Sequence, residues 1–436
     1  MQNGKGKMNI YKNPSRDSWQ QLLQRPAIEQ ANLEEKINPI LREVQKNGDR
    51  AVRKFTSEFD NADIERIEVS EQEKYFALNQ VDTNVFDAIK LAAENITAFH
   101  KKQLQPVEKI ETMPGIFCWR KNVGIEKVGL YIPGGTAPLF STVLMLTIPA
   151  VLAGCKEIII CTPPSPEGKV HPAILVAAGY IGIDKIYKVG GVQAIAAMTF
   201  GTETIPKVNK IFGPGNQYVT AAKQLVQKFG MAIDMPAGPS EVAVFADNTS
   251  VPSFIAADLL SQAEHGSDSQ VVLVTDHEPV IRLVQDELDR QLQYLPRKDL
   301  AVGALENSKA FLVSSRGEAM ALLNEYAPEH LILSCDDPAE LAEQVINAGS
   351  VFLGHFSPES VGDYASGTNH TLPTGGSAKT YSGVSVDSFV KKITFQYLSE
   401  EGLNSIAPAV EAMAEAEGLR GHAEAVRIRI SVKRET

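Results

Sequence analysis

The sequence contains 436 residues, of which 44% are hydrophobic and 22% charged, and its formal net charge is -11. A chain of this length can bury a large core and form several domains. Because the acidic balance comes without a block of Lys or Arg, we expect neither nucleic acid nor an acidic membrane as a partner.

The apolar stretches are too short to span a bilayer, and the polar first residues lack the apolar core of a signal peptide. The cysteines are dispersed, with no CxxC pair, at Cys118, Cys155, Cys161 and Cys335. Neither a disulfide framework nor a cysteine-based zinc site is indicated. We therefore expect a cytoplasmic protein.

The first hundred residues predict helices. Residues 33–47 carry apolar side chains at helical spacing, and the pattern stops at Gly48. A second helix is expected over residues 85–102. Residues 1–7 are expected to form a tail that takes no part in the fold.

From residue 128 onward, short β-branched runs alternate with amphipathic helices. We expect strands at residues 129–132, 157–161, 185–189, 210–212, 242–245, 271–274, 310–313, 330–333 and 350–353. Helices are expected between most of them, for example at residues 171–181, 218–229, 252–264 and 338–347. Such alternation predicts parallel sheets covered by helices. The strands are too many for one mononucleotide unit, so we divide them near residue 238.

The alternation ends near Gly354. A loop rich in Gly, Ser and Thr follows at residues 362–377, and the tail then predicts helices at residues 408–417 and 421–430. Two short amphipathic helices do not bury a core alone. We therefore expect them to dock on the main body or on another subunit.

Glycine-rich turns follow several of the predicted strands, although neither GxGxxG nor GxxxxGK[ST] occurs. These turns lie at residues 131–135, 190–193 and 213–216. Each alone is typical of an ordinary tight turn. Three in one segment also fit a nucleotide site, since glycine lets phosphate approach backbone N–H groups at a helix start.

Candidate metal ligands occur in three separate segments. Gln262 and His265 share one face in the last turn of a predicted helix, where the helix dipole favours a cation. Asp363 and His370 lie in the Gly/Ser/Thr loop, and His422 opens the last helix. Imidazole, carboxylate and amide oxygen together suit zinc. However, a helix end that precedes a strand lies at the sheet edge opposite the usual ligand edge, so the loops must fold back over it.

The dipeptide Glu329-His330 stands at the start of an apolar predicted strand. Histidine exchanges protons near neutral pH, and a neighbouring carboxylate can activate water. Alone, such a dipeptide is more typical of an exposed strand start than of a catalytic pair.

Taken together, the motifs resemble those of the histidinol dehydrogenase family over nearly the whole chain. The segments that carry the resemblance are Asn47–Arg50 with Phe59-Asp60, Gly129–Gly135, Gly190–Ala197, Phe212–Asn216, Met235–Glu241, Gln262–His265, Ala327–Leu331, Gly362–His370, and Glu417 with His422. Departures are slight: Val192 stands where Ala is more common, and the first residues are extra. Neither affects a candidate site residue.

The resemblance implies an enzyme that oxidises L-histidinol through L-histidinaldehyde to L-histidine, with two NAD used per substrate. His330 would be the general base, and Glu329 would activate water. The remaining roles fall into three sets: zinc ligands Gln262, His265, Asp363 and His422, with one zinc per subunit; substrate contacts Ser240, His370 and Glu417 together with the zinc ligands and His330; and NAD contacts Tyr131, Gln193 and Asn216.

The resemblance also implies an α/β fold with two incomplete Rossmann-like parallel-sheet domains and small helical N- and C-terminal domains. The expected division is an N-terminal helical segment at residues 1–27, a main domain at residues 28–130 and 238–381, an NAD-binding domain at residues 131–237 and a C-terminal tail at residues 382–436. The implied homodimer has shared active sites, since the tail crosses to the partner.

Other functions stay open at this stage. A dehydrogenase for another small polar alcohol, a zinc hydrolase that binds no NAD and a non-catalytic binding protein share some of these features. An aldehyde could also be oxidised through a cysteine thiohemiacetal. Cys155 and Cys161 flank an apolar predicted strand, however, and are expected to be inert core residues.

Overall fold

The computed structural model describes residues 7–26, 30–134 and 138–431. Its strands in chain order are β1 Asn9–Lys12, β2 Lys109–Met113, β3 Ile116–Gly124, β4 Lys127–Tyr131, β5 Glu157–Thr162, β6 Ile186–Lys188, β7 Lys210–Phe212, β8 Ala232–Ile233, β9 Glu241–Ala246, β10 Gln270–Thr275, β11 Lys309–Leu312, β12 His330–Ser334, β13 Ser350–Leu353 and β14 Val390–Leu398. The expectation for residues 1–6, and Gly135 of the first glycine-rich turn, lie outside the described residues.

The helices alternate with these strands over most of the chain. In chain order they are α1 Trp19–Leu22, α2 Gln30–Asp60, α3 Glu71–Leu78, α4 Thr83–Lys101, α5 Phe140–Leu152, α6 Pro172–Ile181, α7 Gly191–Phe200, α8 Gln217–Val226, α9 Pro252–Ala263, α10 Glu278–Gln291, α11 Lys298–Glu306, α12 Arg316–Tyr326, α13 Pro338–Ala342, α14 Glu359–Tyr364, α15 Glu400–Ala416 and α16 Arg420–Ser431. None of the helices in the described ranges has both the length and the apolar character needed to cross a membrane.

Two parallel sheets form the centre of the molecule, and they share one strand order. The smaller sheet runs β6-β5-β4-β7-β8, and the larger runs β1-β11-β10-β9-β12-β13. In both, the order reverses beside the first strand of the unit, as in half of a Rossmann fold. The expected α/β class with two incomplete Rossmann-like sheets is confirmed.

Helices cover both faces of each parallel sheet. Residues of α2, α7 and α8 pack on one face of the smaller sheet, and residues of α4, α5 and α6 pack on the other. The larger sheet is covered by α9, α10 and α11 on one side and by α1 and α12 on the other. Because α2 shares its core with α7, it packs on the smaller sheet although its residues fall in the range expected for the larger domain. The expected boundary between residues 130 and 131 falls inside β4.

A third sheet, antiparallel and ordered β14-β3-β2, was not predicted. Most residues of β2 and β14 are exposed, so their sequences lack the alternating apolar pattern that marks a half-buried strand. Trp119 of β3 stacks on Phe395 of β14 at 5.5 Å between ring centroids. Strand β1 was also missed; it extends the larger sheet beside β11 within an N-terminal segment expected to be helical.

The predicted helix stop at Gly48 is confirmed as a break within α2, and a second helical segment, which was not predicted, follows it to Asp60. Gly48 has φ 49° and ψ -131°, a conformation that glycine adopts without strain. The next residue fixes the bend: the Asp49 N–H donates to Glu203 Oε2 at 2.7 Å, and its carboxylate accepts from the Thr204 hydroxyl at 2.5 Å. Tertiary contacts thus restart the helix where local sequence indicates an end.

Two other helix limits need correction. The helix expected at residues 338–347 ends at Ala342, and the first tail helix begins at Glu400 instead of residue 408. Ser399 caps the tail helix by accepting from the Gly402 N–H at 3.1 Å, and Pro408 lies within the helix. The proline was therefore misread as a helix start.

Candidate active site

A cavity of about 990 Å³ lies between the two parallel sheets. One wall is the carboxyl edge of the smaller sheet, where Tyr131 ends β4 and Asn216 precedes α8. The opposite wall is the amino edge of the larger sheet, where Ser240 precedes β9 and His330 begins β12. The cavity therefore joins the usual ligand edge of one sheet to the opposite edge of the other.

The segment from α14 to His370 folds over this amino edge. It brings Asp363 and His370 into the cavity wall together with Gln262 and His265 from the end of α9. The geometric difficulty raised by the sequence is thus resolved, because the loop covers the edge at which α9 ends.

Glu329 and His330 are both buried at the cavity wall. Glu329 Oε2 accepts from the backbone N–H of Glu241 at 2.8 Å, and His330 Nδ1 lies 3.0 Å from the carbonyl oxygen of Glu241. Because a carbonyl only accepts, Nδ1 carries a proton and donates it. His330 Nε2 lies 3.1 Å from Asp363 Oδ1, and it is the ring nitrogen left for proton exchange.

The carboxylates around His330 set its protonation. Burial raises the pKa of Glu329 to about 8, which lies in the range useful for proton transfer near neutral pH. Burial lowers the pKa of His330, but the Asp363 and Glu329 carboxylates outweigh it and raise that pKa to about 10. Burial also opposes ionisation of Asp363, yet His330 holds its pKa below the usual value.

Gln262 and Asp363 face each other across the cavity wall. Gln262 is 1% exposed, and its Nε2 donates to Asp363 Oδ2 at 3.2 Å. Its Oε1 is buried and has no hydrogen-bond partner among the described residues. His265 is exposed to the cavity, yet desolvation by the surrounding walls lowers its pKa and keeps the ring neutral. An orphaned amide oxygen, a neutral imidazole and a carboxylate are donors that fit zinc.

A carboxyl pair that was not predicted from the sequence lies behind Gln262, formed by the buried Glu359 and the half-buried Asp258. Glu359 is fully buried; its Oε1 accepts from the Ser261 hydroxyl and lies 3.5 Å from Gln262 Nε2. Burial beside Glu359 raises the pKa of Asp258 to about 8. No motif marks these residues, because ordinary helical sequence surrounds them.

Two residues of the tail, expected to act in the site, lie away from this cavity: the substrate contact Glu417 and the zinc ligand His422. Glu417 caps the end of α15 and His422 lies in α16, and both are exposed. Across residues 7–26, 30–134 and 138–431, no group of three or more His, Cys, Asp or Glu side chains could hold a metal ion. One chain alone thus gathers Gln262, His265 and Asp363 but not His422.

His370 and Ser240 complete this wall of the cavity. His370 Nδ1 donates to the Asp363 carbonyl at 2.7 Å, and its Nε2 lies 2.9 Å from the Thr142 hydroxyl. Burial lowers the pKa of His370, so the ring is neutral.

All three residues expected to contact a nucleotide line the same cavity. The Tyr131 hydroxyl accepts from the Gly191 N–H at 3.2 Å, and burial raises its pKa to about 12. Gln193 is fully buried, and its Oε1 has no hydrogen-bond partner within the described part of the chain. Asn216 caps α8 by accepting from the Val219 N–H at 3.0 Å, which leaves its amide N–H groups to donate.

The cysteines, all of which are described, lie outside the lining of this cavity. Burial raises the pKa of Cys155 to about 11 and that of Cys161 further. Neither thiol is therefore activated as a nucleophile.

The chain is similar to several well-defined proteins. A family model described as histidinol dehydrogenase matches residues 23–430. A histidinol dehydrogenase of Bacteroides fragilis (strain YCH46) is 58% identical over 423 residues, covering 97% of this chain and 99% of its own length. A chloroplastic histidinol dehydrogenase of Arabidopsis thaliana is 49% identical over 412 residues, covering 94% and 88%. The crystal structure of histidinol dehydrogenase from Elizabethkingia anophelis matches with a TM-score of 0.94 and 53% identity, covering 97% and 98%.

Proposed function

Because the chain belongs to the histidinol dehydrogenase family, as its motifs predicted, we propose that it oxidises L-histidinol through L-histidinaldehyde to L-histidine, the last steps of histidine biosynthesis. One observation carries this proposal: a single cavity joins a buried Glu329-His330 pair to the glycine-rich turns of a Rossmann-like sheet. An acid–base pair facing a nucleotide-type edge suits hydride transfer from an alcohol.

In the first oxidation, His330 in its neutral form removes the hydroxyl proton of the alcohol through Nε2 as hydride leaves the adjacent carbon. The Asp363 and Glu329 carboxylates favour the protonated ring, so zinc held by Asp363 would offset that negative charge and favour the neutral base. Bound NAD would accept one hydride in each of two oxidations, so two NAD are used per histidinol. Glu329 then takes a proton from the water that adds to the aldehyde, and His330 removes the hydroxyl proton of the resulting hydrate in the second oxidation. Tyr131, Gln193 and Asn216 are the proposed contacts of this cofactor.

The proposed zinc ligands are Gln262, His265, Asp363 and His422 of the partner subunit. Zinc there would orient the substrate through its amino and imidazole nitrogens. The unpartnered Oε1 of Gln262 and the neutral ring of His265 support this assignment. Ser240, His370 and Glu417 of the partner subunit are the proposed remaining substrate contacts.

Purified protein incubated with L-histidinol and NAD tests the function. We expect two NADH for each histidine formed, loss of turnover on prolonged chelation and recovery with zinc. Histidine without NADH would indicate a different reaction, and faster turnover of another alcohol from a panel would identify a different substrate.

Metal analysis tests the ligand assignment separately. His265→Ala should lose zinc, whereas His277→Ala is the matched control and should keep it, since His277 lies at the start of α10 outside the cavity. Full zinc content and activity in His265→Ala would show that the ligand assignment is wrong.

A further inference from the structure

The C-terminal half of α2 forms a wall of the cavity at the smaller sheet. Phe55, Phe59 and Asp60 all line the cavity there. The bend at Gly48 turns this half of the helix toward the cavity. The hydrogen bonds of Asp49 to Glu203 and Thr204 hold the bend. A Cβ at residue 48 would lie 2.2 Å from the Glu203 carboxylate, so the bend needs glycine. The position of this wall is therefore set by the Gly48 bend and the hydrogen bonds of Asp49.

Asp60 is a half-buried carboxylate that no cation neutralises. In the described ranges it forms no ion pair with Lys or Arg, and its one side-chain hydrogen bond is with Gln193 Nε2, 3.4 Å from its Oδ2. Burial raises its pKa to about 6, which reflects this lack of stabilising partners. The fully buried Gln193 beside it has an unpartnered Oε1. Asp60 therefore offers unused acceptor capacity to a ligand with hydroxyl donors.

An exposed aromatic ring adjoins this acceptor. Phe59 is 49% exposed, and it stacks on the buried ring of Phe55 with 5.6 Å between centroids and 6° between planes. A half-exposed ring fixed by a second ring is suited to stack on a planar base.

The smaller sheet itself supplies no carboxylate for this purpose. In a Rossmann fold, an acidic residue after the second strand accepts from the ribose hydroxyls of the dinucleotide. The second strand here is β5, and Pro163, Pro164 and Ser165 follow it. Asp60 reaches the same cavity from outside the sheet, through α2.

We propose that Phe59 and Asp60 form the adenosine subsite for the dinucleotide: Phe59 stacks on adenine, and the Asp60 carboxylate accepts from the vicinal hydroxyls of the adenosine ribose. This inference rests on the proposed function. It has a consequence for specificity, since a carboxylate at this position repels a 2′-phosphate and favours NAD over NADP.

Steady-state kinetics with NAD and NADP test the subsite. Asp60→Ser should raise the KM for NAD roughly 10- to 100-fold, the value of a hydrogen bond to a charged acceptor, with a smaller change in kcat. The ratio of kcat/KM for NADP to that for NAD should rise at least ~10-fold. Phe59→Ala should weaken both cofactors equally. Glu35→Gln is the control on the same helix; Glu35 is exposed and lies outside the cavity lining, so this change should affect neither cofactor.

The NADP ratio distinguishes the subsite from a structural role. If Asp60 only supported Gln193, Asp60→Ser would impair NAD and NADP alike, and that result would overturn the proposal, as would an unchanged KM. Calorimetry with adenosine diphosphoribose, which lacks nicotinamide, should show the same loss of affinity in Asp60→Ser and Phe59→Ala. This binding measurement is independent of turnover. A wild type that binds this probe through Asp60 but makes no NADH from histidinol would contradict the proposed function and not the subsite.

Discussion

The backbone of Glu241 holds both members of the proposed acid–base pair. Its N–H donates to Glu329 Oε2, and its carbonyl accepts from His330 Nδ1. The pairing of β9 with β12 places Val242 opposite His330 and thereby sets this geometry. The side chain of Glu241 is fixed in turn by Arg25, whose Nε lies 2.6 Å from Oε1. A residue with no chemical role thus fixes the positions of the two groups that exchange protons.

Glu329→Gln should separate the two oxidations. The amide keeps the shape of the side chain but accepts no proton, so the step that consumes water should slow by ~10²–10⁴-fold. Histidinol oxidation to the aldehyde needs no water and should change much less. Single-turnover rates with histidinol and with histidinaldehyde measure the two steps.

His330→Gln is the comparison for this prediction, because it should slow both oxidations. An equal loss on both substrates for Glu329→Gln would contradict the role given to Glu329.

The sequence predicts the candidate reactive residues better than the residues that hold them in position. Glu329-His330 and the end of α9 were visible as local patterns. Arg25 pairs with Glu241 across 216 residues, and no local pattern connects them. Asp60 likewise was only part of a family motif, since its position in the cavity depends on the bend at Gly48. Which of the proposed site residues act as expected stays a prediction.

At the scale of the element, the turn after β7 is held by a buried ion pair. Lys223 and Asp234 are each 1% exposed and lie 2.5 Å apart. Lys223 Nζ donates to the Gly213 carbonyl, and Asp234 Oδ2 accepts from the Gly213 N–H, both at 2.7 Å. The pair therefore fixes the start of the Gly213–Asn216 turn, one of the proposed nucleotide-binding turns.

Lys223→Met should lower stability and weaken NAD binding together. Removing one partner leaves the Asp234 charge buried and unpaired, which costs about 3–5 kcal/mol. The denaturation midpoint and the KM for NAD measure the two effects. The exposed pair of Arg290 and Glu287 provides the control, since Arg290→Ala should change neither. A Lys223→Met variant as stable as wild type would contradict the importance of the pair.

The buried strands were predicted to within a few residues because strands covered on both faces appear as continuous β-branched runs. The exposed strands β2 and β14 carry no such signal. The position of strand β1 is determined by pairing with β11, which lies 300 residues later in the chain. Local propensity therefore predicts the two-sheet core, whereas long-range pairing determines the rest.

At the scale of the whole molecule, the two parallel sheets share one strand order but face the cavity with opposite edges. At the carboxyl edge of the larger sheet, polar side chains pair with other side chains of the same edge. Asp247 accepts from Arg316 at 2.7 Å and from the Thr249 hydroxyl at 2.6 Å, and the Ser334 hydroxyl lies 3.1 Å from His355 Nδ1. This edge is thus covered by its own side chains, whereas the amino edge faces the cavity.

The tail forms a helical hairpin with little buried surface of its own. Helices α15 and α16 pack on each other, and few of their residues are buried. Met413, Leu419 and Ile428 are exposed by 45% or more. Such an apolar surface supports docking on a second copy of the chain, which is the proposed source of Glu417 and His422 for the cavity.

A shared site can be tested by mixing two inactive variants. Suppose that His330 comes from one subunit and His422 from its partner. His330→Gln and His422→Ala homodimers are then each impaired at both sites. In a mixed dimer, one site carries both defects and the other carries neither. Random reassembly makes about half of the dimers mixed, so activity should recover toward roughly a quarter of wild type.

The control mixes His330→Gln with Glu329→Gln. Both residues lie on the same body, so every site of such a mixed dimer keeps one defect and no recovery is expected. The subunits must be co-expressed, or dissociated and reassembled, and the mixed dimers verified by differential tags. If verified dimers of His330→Gln and His422→Ala show no more recovery than this control, His422 serves its own chain, and α16 must fold back onto its own body.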